Sequence, residues 1–296
     1  MAELDIAVSW VESVWQPVGA VQPLRGGVTS TMAVVTAVDG DDAVLRLMTD
    51  EPWRRHAEGL LAREAQVQGQ LAATHVPAPQ SIAVDPSGVG AGVPAHLMSW
   101  LPGRLELHRC DDSLLGELAG LLVAVHAVDP GPVGWPREYQ SWAWPEKRIV
   151  PPWSSRPELW RSAFDALAGP EPAYEPTFLH RDFHLGNVLW EDGAVSGLVD
   201  WVETSTGPAD LDVAHCTTAL ALLHGVDVAL EFPVAYAEAG GRAEPKAAYW
   251  QVMDVVGFLP HPDKVTRPWR EAGRDIPDAQ AEQRLEELLD RTLAAL

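Results

Sequence analysis

The stretch LHRDFHLGNVLW, residues 179–190, sets two histidines, an aspartate and an asparagine within eight positions. Phe178-Leu179 before it and Val188-Leu189-Trp190 within its end read as strand ends, so the polar run between them occupies a loop. A loop bracketed by apolar strands carries such groups at a cost unless they have partners or a use. Downstream, VLWEDGAVSGLVD (188–200) reads as a short hairpin turned by Asp192-Gly193, which would bring Asp200 back beside Asn187. Asn187 and Asp200 then offer hard oxygen ligands of the kind magnesium takes, and Asp182 is left as a base or orienting group for a nucleophile. A carboxylate for a hydroxyl, with an amide and a second carboxylate for metal, is the arrangement of phosphoryl transfer.

Three motifs follow one another: HRDFHLGN (180–187), LVDW (198–201) and GPADLDVA (207–214). In this order and spacing they resemble the aminoglycoside phosphotransferase family, whose loop usually reads H-G-D-x-H-x-x-N. The family's metal aspartate lies in a short hydrophobic strand, and a G-x-x-x-x-D-L-A segment comes after it. The resemblance spans roughly residues 22–220. It implies an α+β, two-lobed, protein-kinase-like fold, an N-terminal antiparallel sheet with one long helix, and a larger, mainly helical C-terminal lobe. It also implies ATP and Mg2+ as cofactors, Asp182 as the catalytic residue, Asn187 and Asp200 as metal ligands, and His180 and Asp212 as braces of the loop. Arg181 stands where the family usually has glycine and makes the triplet read as in eukaryotic protein kinases.

The upstream half fits a nucleotide site. In LRGGVTSTMAVV (24–35), Gly26 and Gly27 would let backbone N–H groups approach phosphate oxygens, helped by the hydroxyls of Thr29 and Ser30. A Gly-Gly turn can equally be only a turn. Arg46 in VLRLM occupies the strand position where kinases place a phosphate-binding lysine, and many members of the family use arginine there; Glu64 in AREAQVQ would be its helix partner. HLMSW (96–100) would be the hinge that meets adenine, with Met98 and Trp100 as its contacts.

The organisation of the chain agrees. MAVVTAV (32–38) and AVLRLM (43–48) flank a turn at Asp39-Gly40, a helix is expected over 56–73, and SIAV and AHLM are strands about the turn DPSG. A short helix near 3–15 precedes them. WLPGR (100–104) breaks the pattern, which puts a nucleotide-binding lobe at 1–99 and a catalytic, acceptor-binding lobe at 100–296. Residues 111–128 read as a core helix capped by Asp111 or Asp112, and helices are expected near 211–224, 229–239, 244–257 and 278–294. Residues 129–160 show no periodicity and hold five of the 13 tryptophans, a long ordered excursion. Trp135, Trp142, Trp144 and Trp153 are candidates for walling an acceptor site.

A formal charge of −21, from 21 Lys and Arg against 42 Asp and Glu, argues against nucleic acid or an anionic membrane as partner and suits a cationic small-molecule acceptor. Two cysteines make no disulfide framework, and the acidic N-terminus is unlike a signal peptide, so a cytoplasmic protein is expected. Oligomeric state is not legible. The rival readings are a non-catalytic nucleotide-binding pseudokinase and a metal-dependent hydrolase using His180, Asp182 and His184, which alternate along the loop. Protein phosphorylation is disfavoured because only 12 positions separate Asp200 from Asp212 (212 − 200), with no A-P-E anchor.

Overall fold

The computed structural model describes residues 2–24, 30–129, 134, 136–242 and 246–296. The chain forms two compact units, Met1–Arg104 with Ser196–Glu203, and Leu105–Val195 with Thr204–Leu296.

The first unit is built on an antiparallel sheet of Val18–Leu24 (β1), Thr31–Ala37 (β2), Asp42–Leu47 (β3), Ser81–Asp85 (β4) and Ala95–Ser99 (β5), in the order β1-β2-β3-β5-β4. Gly40, at φ 102°, makes the expected turn between β2 and β3 and donates to the Ala37 carbonyl at 3.0 Å. The DPSG turn is closed by the Asp85 carboxylate, which accepts the N–H groups of Gly88, Gly90 and Ala91. Side chains alternate across a strand, so Ala43, Leu45 and Leu47 of β3 enter one core with Val35, Leu97 and the helix Ala2–Val14 (α1), through Ala7, Trp10 and Val11. Arg46 points to the other face, opposite His96 of β5 in the register, and the helix Ala57–Leu71 (α2) brings Glu64 there. The stretch Ser196–Glu203 is stitched into this unit: the Leu198 N–H donates to the Pro77 carbonyl at 2.8 Å, and Arg63 donates to the Val202 carbonyl at 2.7 and 3.0 Å.

The second unit is mainly helical: Asp112–His126 (α3), Pro157–Ala166 (α4), Asp210–His224 (α5), Val226–Glu238 (α6), Ala247–Gly257 (α7), Asp263–Glu271 (α8) and Asp278–Leu293 (α9). Asp111 is the cap of α3, accepting the Leu114 N–H at 3.0 Å. Strands Thr177–Leu179 (β6) and Ser205–Gly207 (β9) pair antiparallel. Val188–Glu191 (β7) and Ala194–Leu198 (β8) form the hairpin, whose turn residues Asp192 (φ 51°) and Gly193 (φ 85°) both take the left-handed conformation that a two-residue type I′ turn demands. Helix α5 is buried from Asp210 to Leu223, which is why its sequence shows so little amphipathicity.

One buried carboxylate and two helices were not legible in the sequence. Asp210 is 5% exposed in the first turn of α5, where the helix dipole favours a carboxylate. Helices α4 and α8 were not foreseen: α4 begins inside the stretch 129–160 that shows no periodicity, and α8 carries Pro268 in its interior, which reads as a breaker. The excursion, by contrast, is ordered as expected over its described part: Arg137 and Tyr139 exchange backbone hydrogen bonds with Thr206 of β9, and Pro145–Lys147 forms a 3₁₀ turn. Among the described residues no helix is long and apolar enough to cross a membrane.

Candidate active site

The loop of residues 180–187 is built from its backbone outward. The Asp212 carboxylate, on α5, accepts the N–H of His180 at 2.8 Å through Oδ2 and that of Arg181 at 2.7 Å through Oδ1. His126 of α3 meets the same Oδ2 at 3.3 Å. Burial alone would raise the Asp212 pKa, but His126 and the positive charges around it hold it below the usual carboxylate range. Arg181 has φ 74°, a conformation that costs a side-chain-bearing residue about 1–2 kcal/mol and suits the glycine common at this point of related loops. Its guanidinium lies 4.3 Å from the Trp142 ring centroid and donates to the Gln140 carbonyl at 3.1 Å, so the side chain fastens the excursion to the loop.

Asp182 follows that fixed turn. Its backbone N–H donates to His180 Nδ1 at 3.2 Å. The Asn187 amide nitrogen donates to the Asp182 carbonyl at 2.8 Å and to Oδ2 at 3.0 Å, while Oδ1 faces His215 Nε2 at 3.2 Å. The Asp182 side chain is nevertheless 32% exposed, as a group that meets a substrate has to be. Desolvation pushes its pKa up, but His184, His215 and His180 outweigh it and hold the carboxyl well below the usual range. With its nitrogen engaged by Asp182, Asn187 has its carbonyl oxygen left to offer a hard cation. His184 accepts the Gly186 N–H on Nδ1 at 2.9 Å, and burial lowers its pKa to about 4 although Asp182 pulls the other way.

Two functional candidates that the sequence reading missed are His215 and Asp254. His215, one turn after Asp212 on α5, has both ring nitrogens on carboxylates, Nδ1 on Asp254 Oδ1 at 3.0 Å and Nε2 on Asp182 Oδ1 at 3.2 Å. Burial works against its charge, but the two aspartates outweigh it and raise the pKa to about 9. A signal existed: Asp212 and His215 share a face at i, i+3, and Asp254 is the lone carboxylate in the apolar run VMDVVG (252–257). Ligand atoms of Asp182, His184 and His215 lie within 4.8 Å of one another, a spacing a metal could use. The two carboxylates about the imidazole also favour its protonated form, in which the proton offsets part of their charge. His180, assigned to the metal set by the hydrolase reading, lies outside that group.

In the first unit, Arg46 is 5% exposed and donates through Nη1 and Nη2 to Asp200 Oδ1, both at 3.1 Å, with Nη1 also 3.3 Å from Glu64 Oε1. Burial opposes the charge on Arg46 and on Glu64, yet Asp200 first and Glu64 second keep the Arg46 pKa raised, and Arg46 with His96 keeps the Glu64 pKa lowered. His96, also missed, bridges Glu64 Oε2 and Ser81 Oγ, each at 2.9 Å. Asp200 has φ 67°, the second left-handed non-glycine among the site candidates. Met98 lies inside β5, paired with Val44 on one side and Ser81 on the other, and its sulfur accepts from Gln68 at 3.0 Å. Trp100 directly follows the strand and is 39% exposed, and Ser30 is buried. Gly26, Gly27, Thr29 and Trp135 lie outside the described residues.

The remaining tryptophans of the excursion are largely used by the protein itself. Trp142 has Arg181 on its face and His215 at its edge, 5.2 Å between centroids; Trp153 donates to the Pro260 carbonyl at 2.8 Å; Trp144 is 51% exposed beside Lys147.

Solved structures of similar fold cover nearly the whole chain. The apoenzyme of macrolide 2'-phosphotransferase MphH from Brachybacterium faecium matches with a TM-score of 0.64 at 19% identity, over 97% of this chain and 98% of that one. A thermostable mutant of aminoglycoside phosphotransferase APH(4)-Ia, in a ternary complex with AMP-PNP and hygromycin B, matches with a TM-score of 0.67 at 18% identity, over 96% and 97%. The expected α+β, two-lobed, protein-kinase-like fold is thereby established. No curated protein sequence gives a significant match. The family model described as the phosphotransferase enzyme family (APH) matches residues 20–254, most of the chain and all three motifs read from the sequence, and the chain belongs to that family.

Proposed function

We propose that the chain moves the γ-phosphoryl group of ATP to a hydroxyl of a small molecule, with Asp182 receiving or orienting that hydroxyl. The observation that carries this reading is the Asp182 carboxylate, exposed at one edge, fixed by Asn187 and His215, and set in a loop whose backbone Asp212 pins. Preorganisation of this kind is what phosphoryl transfer needs, because positioning and charge supply most of its catalysis. We assign Arg46, held by Glu64, to the nucleotide phosphates together with Gly26, Gly27, Thr29 and Ser30, and Met98 and Trp100 to the adenine. Residues 1–99 are then the nucleotide-binding part and residues 100–296 the catalytic and acceptor-binding part. Asn187 and Asp200 are the proposed ligands of Mg2+, and their carbonyl and carboxylate oxygens suit that ion, which when bound neutralises phosphate charge.

For the acceptor we favour a cationic, hydroxyl-rich molecule of the amino-sugar kind. The formal charge of −21 supports it, as does the hygromycin B in the complex of the APH(4)-Ia variant. Among the described tryptophans of the excursion Trp144 is the most exposed, while the face of Trp142 is taken by Arg181. A cytoplasmic site of action supplies ATP and keeps Cys110 and Cys216 reduced.

The test is an ADP-release screen with magnesium-ATP over aminoglycosides, macrolides and hydroxylated metabolites, followed by Asp182→Ala on the best acceptor. Turnover should fall by about 10²–10⁴ while the Kd for magnesium-ATP stays within a few fold. Binding of magnesium-ATP with no turnover on any acceptor would favour the pseudokinase, and zinc-dependent hydrolysis without ATP the hydrolase.

A further inference from the structure

We propose that His215, anchored by Asp254, is a positioning residue for the transfer reaction: a cationic bridge that holds the Asp182 carboxylate in its reactive orientation. The inference rests on the reading of Asp182 above and extends it to two residues outside the sequence motifs.

The geometry is specific. His215 projects from α5 and Asp254 from α7, so the position of the imidazole is set by two packed helices and not by the loop it supports. His215 Nδ1 and Nε2 reach Asp254 Oδ1 and Asp182 Oδ1 at 3.0 and 3.2 Å, and a ring that donates to two carboxylates at once must carry both protons. The ring is 3% exposed and is walled by Trp142 at 5.2 Å and Phe258 at 5.6 Å between centroids, which fixes its plane. Asp254 Oδ2 is buried with no hydrogen-bond partner, so this carboxylate is committed to the imidazole. Other charged or titratable groups around the bridge are His184 of the loop, Lys147 of the excursion, whose pKa burial pushes down to about 8, and Lys264 of α8, which feels both Asp182 and Asp254.

In the transfer, the acceptor oxygen bonds to the γ-phosphorus, the bond from that phosphorus to the β,γ-bridging oxygen breaks, and ADP leaves with the electron pair. The hydroxyl proton passes to an Asp182 oxygen. With Oδ1 engaged by His215 and Oδ2 by Asn187, rotation of the carboxylate is opposed, and one lone pair on each oxygen is left to meet a hydroxyl.

The experiment combines an NMR titration with kinetics. Histidine-selective ¹⁵N spectra of the full chain, assigned with His215→Gln, should show His215 doubly protonated at pH 7 and losing its proton at about pH 9. Asp254→Asn should move that midpoint downward, towards the ordinary histidine value. ADP release with magnesium-ATP, water or the acceptor from the screen serving as nucleophile, should fall on the order of 10²-fold in His215→Leu. It should fall less in His215→Gln, which keeps one donor, with KM for ATP unchanged in both. An ordinary midpoint that Asp254→Asn does not move overturns the proposal, as does wild-type turnover from pH 6 to 10 in both His215 variants while Asp182→Ala is inactive. If Asp182→Ala keeps full turnover, the reading of Asp182 itself fails, whatever the titration shows.

Discussion

At the scale of single residues, the site depends on side chains placed where burial or backbone geometry penalises them. Arg46 and Glu64 are both buried, and removing Arg46 leaves the Glu64 carboxylate with His96 but without its cation, a loss that approaches the roughly 3–5 kcal/mol of a broken buried pair. Arg46→Ala should therefore lower thermal stability and raise the KM for ATP together. The double variant Arg46→Met/Glu64→Met should recover much of the stability in a denaturant melt without recovering ATP affinity. Recovery of both would place Arg46 outside the nucleotide site. Arg181 gives a second contrast. Arg181→Gly relieves the φ of 74° while losing the stacking on Trp142, whereas Arg181→Ala keeps the strain and loses the stacking, so its melting temperature should be the lower of the two. The motif residues Asp182, Asn187, Asp200 and Asp212 were legible because they recur in a recognisable order. His96, His215 and Asp254 were not, because each reaches its partner across the fold, His215 to Asp182 over 33 positions and to Asp254 over 39.

At the scale of elements, the sequence read well wherever one periodicity governed a segment and poorly where none did. Strands β2 to β5, helices α2, α3 and α9, and the Asp192-Gly193 hairpin follow the alternation and turn chemistry of their residues. Helices α4 and α8 contain prolines at positions a helix tolerates in this packing, and no local pattern signals that. Helix glycines show how tertiary contact decides the sign of a local effect. A methyl group at Gly116 or Gly120 of α3 would meet nothing within 4 Å, so Gly116→Ala and Gly120→Ala should each stabilise by about 0.5–1 kcal/mol through helix propensity. At Gly257, the last residue of α7, the same methyl would press on Trp142 Cβ at 3.1 Å, and the Gly257 carbonyl receives Lys147 at 2.7 Å. Gly257→Ala should destabilise, by about 1–3 kcal/mol if Trp142 cannot yield. Urea melts of the three variants give the signs directly, and stabilisation by Gly257→Ala would mean that the excursion is held elsewhere.

At the scale of the whole molecule, chain order and compact units do not coincide. The composition change at WLPGR is visible in the sequence, but nothing local announces that Ser196–Glu203 rejoins the N-terminal unit, because the contacts that place it there are long-range. Those eight residues supply Asp200 to Arg46, the Leu198 N–H to the Pro77 carbonyl, the Val202 carbonyl to Arg63, and the fully buried Trp201. A fragment ending at Arg104 lacks all of them. Its Arg46 would keep Glu64 but lose the second carboxylate, Arg63 would lose the Val202 carbonyl, and the apolar surface that Val202 helps to cover beside Met48, Leu60 and Leu61 would open. Burying a side chain the size of Trp201 contributes a few kcal/mol, which is a large part of the stability of a unit of this length. Expressed alone, residues 1–104 should be loosely packed, with weak amide-exchange protection in β3 and a broad melt. Restoring 196–203 through a Gly/Ser linker after Arg104 should sharpen the melt, and replacing Trp201 by Ala in that fusion should broaden it again. A cooperative melt of the bare fragment, equal to that of the fusion, would show that the returning segment is a passenger on a self-sufficient sheet and that Asp200 reaches Arg46 without contributing to the fold.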